Sequence, residues 1–590
     1  MRDVTWERMS PKSPLVAIAL MIAGLVGITL ALRAVHPRMR AVAHVAGGPG
    51  APTNLPWRFD AVGAGNRLDV TLPVHWATPD RWRIVPDDDF TALRVNGAPV
   101  PLADVPAAGL HDWEHGFVVD LGPRLHRGDS FLELTVTNGG GPGGIDLRPV
   151  VGWRSLLLAA GLAPWLLGLA RLFRIGRWET VVLVGALGVT CWYWGMTASY
   201  ERAYDVKHFG EGGHLDYVVY VGEKGELPPP DQGWQYYQPP LYYLGGALAW
   251  RWAKVIDASG PETLQAYSLA LWLVFLTASV ASLRLALRGS RAGLLVGALA
   301  VALWPSGVLA GPRIGNDLAL YAASAMATYF MLRWWRGQRP AQLAGMALSV
   351  AIAFLFKSSA MALLAAALVV IALRLVHGGH WRRPRGWARA SAATGVMFAG
   401  VALGLARGVW YWHKGKLAGW LVANADSLDA GLRVPNDVAS YIPLDLPTYL
   451  SQPWMSSWSD DTARANFWNY FLRSSLSGEF HFAGTVHRAI AIFWGAALIA
   501  LVLLSLLRIH RRPPTAADLW RDAPLWLLGF FWLASAVSAR ALHAFSCQAD
   551  FRYVLPVLIP FVAGCARGGL ASKTLLSLVA LTSVAFFATL

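Results

Sequence analysis

Charged residues are scarce in this sequence: they make up 15% of its 590 residues, whereas hydrophobic residues make up 55%. Apolar runs of about twenty residues recur from Pro14 to the last residue, and a bilayer core about 30 Å thick accommodates one helix for each such run. A soluble domain could not cover so much apolar surface, so the scarcity of charge excludes a soluble globular protein. We therefore expect a polytopic α-helical membrane protein.

Cysteine is nearly absent as well. The sequence contains Cys191, Cys547 and Cys565. Their spacing fits neither a disulfide framework nor a metal cluster, so redox chemistry is not indicated. The formal net charge is +15, but the basic residues cluster in short loops between apolar runs, as at 171–177, 374–389 and 508–521. Such clusters orient membrane helices with positive loops in the cytoplasm, and we expect no nucleic-acid partner.

The first apolar run, Leu15 to Leu32, follows Arg2, Arg8 and Lys12, as the hydrophobic segment of a signal sequence would. It is longer than a usual signal segment, and further arginines intervene before any small-residue cleavage site. We therefore interpret residues 1–40 as a retained N-terminal membrane anchor.

Residues 41–151 have a different character. Beyond a start rich in Ala, Gly and Pro, the stretches RLDVTLPVHW, TALRVNGAPVPL, GFVVDL and SFLELTVTN alternate apolar with polar residues between turns such as Asn96-Gly97. This pattern predicts a small extracytoplasmic β-sandwich from about Pro56 to Val150. The segment DLGPRLHRGDSFLELTVTNGGG resembles the galactose-binding-like jelly rolls attached to carbohydrate-active enzymes, which implies a glycan ligand; the alternative is a sandwich that merely packs against the membrane domain.

Residues 152–590 hold the remaining apolar runs, and with the anchor we expect about 12 to 14 membrane helices. The basic loops, placed in the cytoplasm, put several polar segments on the outer face. These segments are 200–239, 312–316, the residues around Lys357, 412–485 and 542–551. Assignments made from the two termini differ by one crossing between 240 and 292. One apolar segment there is therefore expected to be short, re-entrant or parallel to the membrane.

The outer loop 200–239 concentrates ionisable residues directly after a membrane span. They are Glu201, Asp205, His208, Glu211, His214 and Asp216. Ionisable groups at a membrane surface are costly unless they are hydrated or used, so their density favours a function; the alternative is a solvated loop. HLDYVVYV predicts an amphipathic helix along the interface, and the loop ends in QPPLYY, where proline suits a helix start.

This loop resembles the GT-C superfamily of polyprenyl-phosphate-sugar-dependent glycosyltransferases, in particular the dolichyl-phosphate-mannose protein mannosyltransferases and the aminoarabinose transferases. Three further pieces are similar to that family and occur in the same order. They are Arg313-Ile-Gly-Asn316-Asp317, Phe356-Lys357-Ser358 and Gln548-Ala-Asp550-Phe-Arg552-Tyr553-Val-Leu-Pro556. The resemblance covers residues 180–566 and implies transfer of one sugar from a polyprenyl phosphate to a lipid, glycan or protein acceptor.

Site roles follow from this resemblance and from the chemistry. The donor phosphate must be held by cations, and Lys357, Arg313 and Arg552 lie at span ends near a lipid headgroup; ordinary snorkelling bases are the alternative. The resemblance implies an acidic base in loop 200–239, which either Glu211 or Asp205 could supply, and Glu211 is the first candidate. The family's usual Asp-Glu pair is absent here, since Gly210 precedes Glu211. The other substrate-binding or orienting candidates are His208, His214, Asp216, Tyr243, Asn316, Asp317, Gln548, Asp550 and Tyr553.

We expect no definite cofactor or metal. The alternative is a divalent cation held by His208, Glu211 and His214, of which the last two are three residues apart, as on one helix face. The outer segment 412–485 carries aromatic and acidic residues that suit either sugar rings or an interfacial cap. They are Trp454, Trp458, Asp460, Asp461, Trp468, Tyr470 and Glu479.

The sequence thus predicts an integral membrane glycosyltransferase of the cytoplasmic (inner) membrane whose active site faces the periplasm or exterior. No nucleotide-sugar site is expected, because the donor arrives in the bilayer. One alternative is a transporter or flippase for a lipid-linked glycan, which would be expected to show mid-span ionisable residues or repeated halves; the sequence has few such residues and no internal repeat. The other is a noncatalytic membrane scaffold in polysaccharide assembly.

Overall fold

The structure is a computed structural model, and it describes most of the chain from Pro14 to Leu590. The described residues are 14–35, 39–53, 55, 57–59, 61–75, 78–87, 89–103, 105–111, 116–140, 143–150, 152–196, 212–377, 384–419, 428–482 and 484–590.

Helices make up most of the described chain outside residues 40–149. In chain order they are α1 (Pro14–Val35), α2 (Gly152–Leu172), α3 (Arg177–Met196), α4 (His214–Lys224), α5 (Leu241–Ile256), α6 (Gly260–Ala286), α7 (Arg291–Ala302), α8 (Pro305–Ala310), α9 (Asp317–Gly337), α10 (Pro340–Phe356), α11 (Met361–His377), α12 (Pro384–His413), α13 (Leu446–Ser451), α14 (Phe467–Ser477), α15 (Thr485–Arg511), α16 (Ala516–Leu542), α17 (Leu558–Ala566) and α18 (Leu570–Ala588).

Within the described residues, nine helical segments are long and apolar enough to cross a membrane, and α7 and α10 are shorter apolar helices. This confirms a polytopic helical membrane protein. The expected total of about 12 to 14 spans stays a prediction, because further crossings would have to come from shorter or less apolar helices. One predicted run, 292–311, is divided into α7 and α8, where Pro305 begins α8. Proline cannot donate the backbone hydrogen bond that a continuous helix would need at that position.

Polar contacts gather several helix ends at one end of the bundle, which we call the Arg567 end. The Arg567 guanidinium pairs with Asp522 at 2.8 Å and donates to the carbonyl oxygen of Ala286 at 2.9 Å. The Trp335 indole donates to the carbonyl oxygen of Trp520 at 2.9 Å. The last turns of α6, α9 and α17 therefore lie beside the first turns of α16.

The opposite end, which we call the Lys357 end, is where α9 and α11 begin and α10 ends. Helix α5 has both of its ends near it: the Tyr242 hydroxyl lies 3.0 Å from Ser268 Oγ in the third turn of α6, and α5 ends just before α6 begins. The end of α6 is at the Arg567 end, where Arg284 donates to the carbonyl of Arg174. Helix α5 is thus the segment between 240 and 292 that does not traverse the bundle, as the mismatch in the sequence predicted.

Glycines bring two helix pairs into close contact. A Cβ on Gly404 of α12 would lie 2.4 Å from the carbonyl oxygen of Phe354 in α10, and one on Gly400 would lie 2.4 Å from Cα of Ala351. Helices α1 and α2 also meet at glycines, since a Cβ on Gly27 would lie 2.9 Å from the carbonyl oxygen of Gly161. Small residues let helix backbones approach closely, and such contacts are a main source of attraction between helices in lipid.

Between α1 and α2 the chain forms a β unit. Its strands are β1 (Arg40–His44), β2 (Ala51–Thr53), β3 (Trp57–Phe59), β4 (Gly63–Val74), β5 (Arg81–Asp87), β6 (Asp89–Val95), β7 (Ala98–Pro99), β8 (Phe117–Asp120), β9 (Gly128–Asn138) and β10 (Gly143–Pro149). They form a six-stranded sheet, in the order β2-β1-β4-β9-β6-β7, and a four-stranded sheet, β3-β10-β5-β8. The inward-facing residues of both sheets, among them Leu68, Trp82 and Leu134, belong to one hydrophobic cluster.

The β unit follows the sequence pattern with one difference. Asn96 and Gly97 have φ angles of 51° and 81° and join β6 to β7, which confirms the predicted turn, since this hairpin turn needs positive φ at both positions. Strand β1, however, begins at Arg40 and pairs with β4, so the sheet starts earlier than Pro56. The alternation of buried and more exposed residues in β1 is hard to detect in the sequence, because the buried residues are small, weakly hydrophobic alanines. The extracytoplasmic, jelly-roll-like assignment stays a prediction.

Candidate functional site

The structure brings together the described parts of all four sequence pieces at the Lys357 end. Asn316, which is fully buried at the start of α9, donates through Nδ2 to the carbonyl oxygen of Phe356 at 2.9 Å and to Oε1 of Gln238 at 3.2 Å. Tyr242 of the QPPLYY piece accepts a 2.9 Å hydrogen bond from the backbone N–H of Gly315. Asn316 and Tyr242 therefore hold the loop before α5, the start of α9 and the end of α10 in contact.

Lys357 forms an ion pair at this junction. Helix α10 ends at Phe356, and Lys357 itself has an extended backbone with φ −160° and ψ 139°. Its ammonium nitrogen lies 2.5 Å from Oδ1 of Asp317, the first residue of α9. Burial lowers the pKa of the Lys357 ammonium, and the Asp317 carboxylate opposes this shift. Two groups that the sequence predicted separately are therefore partners in one buried pair.

The piece before α17 supplies the next wall of the site. Lys357 Nζ also lies 5.1 Å from the ring centre of Tyr553, within cation–π range. Arg552 Nε is 3.2 Å from Oδ2 of Asp550, and its Nη2 donates to the Tyr553 hydroxyl at 2.8 Å. Asp550 is buried and also accepts from the backbone N–H of Arg552 at 2.9 Å. Lys357 and Arg552 thus both lie over the Tyr553 ring, and each is paired with an aspartate, Asp317 and Asp550, in a charge arrangement around Tyr553.

Two further predicted residues lie near this arrangement. The Arg313 guanidinium is buried and stands 4.3 Å above the centre of the Phe480 ring. Gln548 is partly buried in a short 3-10 turn just before Asp550. Arg313 thus reaches the site from the loop before α9, and Gln548 from the same segment as Arg552. Both lie at the Lys357 end, and their roles in the site stay predictions.

Helices α4 and α5 contribute an aromatic stack. His214 Nδ1 lies 2.8 Å from the Tyr243 hydroxyl, and the Tyr243 ring stacks on Tyr217 with centres 3.7 Å apart. Burial raises the pKa of the Tyr217 hydroxyl and raises the pKa of Tyr236 to about 12. These hydroxyls stay protonated at neutral pH, so they act as neutral hydrogen-bonding groups and not as bases.

Asp216 has a structural role that the sequence analysis did not assign to it. Its Oδ2 accepts from the backbone N–H groups of Gly212 and Gly213 at 3.0 and 3.1 Å, and so caps the start of α4. A carboxylate there satisfies N–H groups that the helix leaves unpaired and favours the positive end of the helix dipole.

Replacing Asp216 by alanine is expected to lower the free energy of unfolding by about 1 kcal/mol, because these caps are lost. Asp216→Asn keeps an acceptor oxygen and should cost less. Thermal unfolding of the detergent-purified variants measures the difference. An alanine variant as stable as the wild type would contradict the capping role.

The predicted base and two of the metal candidates lie outside the described residues. These are Asp205, Glu211 and His208. Across the part of the chain that the structure describes, no group of three or more His, Cys, Asp or Glu side chains could hold a metal ion. The base and the divalent-cation alternative with His214 therefore stay predictions.

Sequence reasoning missed Arg407 of α12. Its guanidinium donates to the Tyr217 hydroxyl at 2.7 Å and to the carbonyl oxygen of Pro228. A single charged residue in the second half of a long apolar helix is costly unless it is paired or functional. This position in the sequence could have identified Arg407. Arg407 therefore connects α4 and the loop before α5 to α12.

The segment between α12 and α15 is attached to the same end. Ser546 Oγ donates to the carbonyl oxygen of Ser457 at 2.7 Å, and the Phe551 N–H donates to Ser474 Oγ at 3.0 Å. Of the residues proposed to contact sugar rings, Trp468 donates to the carbonyl of Tyr441 inside the segment itself. The segment therefore covers the piece that carries Asp550 and Arg552.

One comparison with known proteins matches. Residues 259–403 match the family model described as dolichyl-phosphate-mannose-protein mannosyltransferase. The matched segment runs from α6 into α12 and contains Arg313, Asn316, Asp317 and Lys357. It confirms the resemblance found in the sequence and supports a GT-C glycosyltransferase-like membrane protein. No curated protein matches the chain.

Proposed function

We propose that this GT-C-like membrane protein transfers one sugar, a hexose or a pentose, from a polyprenyl monophosphate to a lipid, glycan or protein acceptor at its Lys357 end. The observation that carries the proposal is the convergence of Lys357 and Arg552 with Asp317, Asp550 and Tyr553. The matching family is named for a dolichyl-phosphate-linked mannose, which makes a polyprenyl phosphate the donor class to test.

The donor phosphate would bind at the cations. In the reaction an acceptor oxygen forms a bond to the anomeric carbon, and the bond from that carbon to the phosphate oxygen breaks. The electron pair leaves with the polyprenyl phosphate, so negative charge grows there as the bond lengthens. Preplaced positive charge stabilises this transition state more than the ground state. Lys357 and Arg552 lie where such stabilisation can be supplied, and Arg313 is the third candidate.

The acceptor hydroxyl must lose its proton to a base. Glu211 is the first candidate and Asp205 the second. Both precede α4, whose first residue His214 belongs to the aromatic stack next to Gly315 and α9. The tyrosine hydroxyls of the stack are neutral and cannot replace such a carboxylate.

We place the Lys357 end at the outer face of the cytoplasmic (inner) membrane, facing the periplasm or exterior. The support comes from the other end, where basic side chains accumulate, as they do on the cytoplasmic side of membrane proteins. They include Arg284, Arg336, Arg521 and Arg567. The β unit would then lie outside, because α1 leads into it and α2 follows it, and Arg154 at the start of α2 pairs with Glu262 at the start of α6.

The test uses the full chain in lipid nanodiscs with a panel of radiolabelled polyprenyl-phosphate sugars. We expect one donor to be turned over, and we expect Glu211→Gln or Asp205→Asn to lower its transfer by about 10²- to 10⁴-fold, the contribution of a general base. Glu223→Gln is the matched control, since Glu223 is an exposed carboxylate of α4 that pairs with Lys254. It should transfer at the wild-type rate.

The same preparations separate the alternatives. Movement of a lipid-linked glycan across a vesicle membrane without transfer of its sugar would favour a transporter or flippase. Neither transfer nor movement, together with binding of a polysaccharide to the β unit, would favour a scaffold. Wild-type rates in both carboxylate variants would contradict the assignment of the base while leaving a transferase in place.

A further inference from the structure

Glu479 is a partly exposed carboxylate in the turn after α14, and hydroxyl groups hold one of its oxygens. Its Oε1 accepts a 2.5 Å hydrogen bond from Ser457 Oγ and a second hydrogen bond from the Tyr470 hydroxyl. Ser457 and Tyr470 are themselves buried. Hydrogen bonds to a carboxylate fix its orientation. Because Ser457 and Tyr470 are buried, their hydroxyl groups hold the Glu479 carboxylate in one orientation.

The Glu479 carboxylate lies between Arg313 and the segment that carries Asp550 and Arg552. Phe480, which follows it, stacks under the Arg313 guanidinium at 4.3 Å. Gly478, which precedes it, lies so close to Arg313 that a Cβ there would be 3.5 Å from Nη2. On the other side, Ser457, which donates to Glu479, accepts a 2.7 Å hydrogen bond through its carbonyl oxygen from Ser546 Oγ, four residues before Asp550. Glu479 therefore stands at the edge of the charge arrangement around Tyr553.

The two hydroxyl groups leave the second oxygen of Glu479, Oε2, without a donor among the described residues. An oriented carboxylate with one unused oxygen at the rim of a site suits a ligand that donates hydrogen bonds.

We propose that Glu479 is an acceptor-binding residue, and that the acceptor group it binds is neutral and bears hydroxyls. The proposal rests on the proposed function. Glu479 and Asp550 would repel a phosphate or carboxylate brought to the same place, whereas a sugar hydroxyl could donate directly to Oε2. The donor phosphate and the acceptor are thereby separated by charge: the phosphate goes to the lysine and arginines, and the hydroxyl goes to the glutamate.

The test compares the wild type, Glu479→Gln and Tyr470→Phe in nanodiscs. It uses the donor that the wild type turns over and, as acceptor probes, a panel of neutral octyl glycosides beside octyl phosphate. Glutamine keeps an oxygen that can accept from Ser457 and Tyr470, so the fold should be preserved, and thermal unfolding checks this. We expect Glu479→Gln to raise KM for the glycosides at least about tenfold, with donor hydrolysis by water unchanged. Tyr470→Phe should have a smaller effect in the same direction.

Each other outcome counts against a specific statement. An unchanged KM in Glu479→Gln would overturn the acceptor role, and so would equal losses of transfer and donor hydrolysis, which would make Glu479 part of the donor site. Wild-type transfer to octyl phosphate, or no transfer to any glycoside while the donor is turned over, would overturn the neutral hydroxyl class. A wild type that turns over no donor at all would overturn the proposed function itself, and the acceptor role with it.

Discussion

Lys357→Ala is expected to reduce sugar transfer by roughly 10²- to 10³-fold, the typical loss when one preplaced group that stabilises a developing negative charge is removed. Lys357 is buried beside Asp317 and lies over the ring of Tyr553, so its charge is held in place before the donor binds. The measurement is the rate of sugar transfer in nanodiscs at saturating donor. The matched control is Lys254→Ala, which removes an exposed lysine of α5.

The alanine variant also leaves the Asp317 carboxylate buried without its partner, which is costly in its own right. A second variant, Lys357→Ala with Asp317→Asn, removes both charges and should recover thermal stability without recovering transfer. Lys357→Arg keeps the charge and should retain part of the activity. If the double variant transferred sugar at the wild-type rate, Lys357 would be only the structural partner of Asp317, and its role at the donor phosphate would be wrong.

Gly404→Leu is expected to separate α10 from α12 and to destabilise the protein by about 1–3 kcal/mol or more, in the range of overpacked cores. The added Cβ would meet the carbonyl oxygen of Phe354 at 2.4 Å, and backbone atoms cannot rotate away as a side chain can. The displaced helix ends at Phe356, whose carbonyl accepts from Asn316, and Lys357 follows directly. We therefore expect the substitution to lower transfer as well as stability.

Gly395→Leu provides the control on the same helix. Gly395 is exposed, and a Cβ at this position would meet no heavy atom within 4 Å. Leucine is also the better helix former, so this variant should unfold at or above the wild-type temperature and transfer at the wild-type rate. Unfolding temperatures and transfer rates are measured on the same detergent preparations. Equal behaviour of the two leucine variants would show that the contact between α10 and α12 is looser than described.

Much of this architecture could be predicted from the sequence, because hydropathy and local turns carry it. Lys357 is a single charge between two apolar runs, and it does lie between α10 and α11. Counting the membrane crossings between the four polar pieces put all of them on one side of the membrane, which implied a common location. Asn96-Gly97 specified a hairpin through backbone conformation alone.

What escaped prediction depends on contacts between residues distant in sequence. Hydropathy measures how apolar α5 is, but its position follows from hydrogen bonds of Tyr242 with Ser268 and with Gly315. Glu479 is oriented by Ser457, which lies 22 residues earlier in a segment without regular periodicity. Asp216 was predicted as a site residue from its neighbours, whereas its oxygen is engaged by N–H groups only three and four residues before it.

The contact between Gly27 and Gly161 has a consequence for how the β unit could be handled. Because α1 and α2 pack against each other there, the end of α1 and the start of α2 lie close together. The β unit is therefore an insertion in the connection of a helical hairpin. It could therefore be excised and α1 joined to α2 by a short flexible linker without changing the connectivity of the remaining helices. Chemistry at the membrane and any capture of glycans by the β unit would then become separate, independently measurable properties.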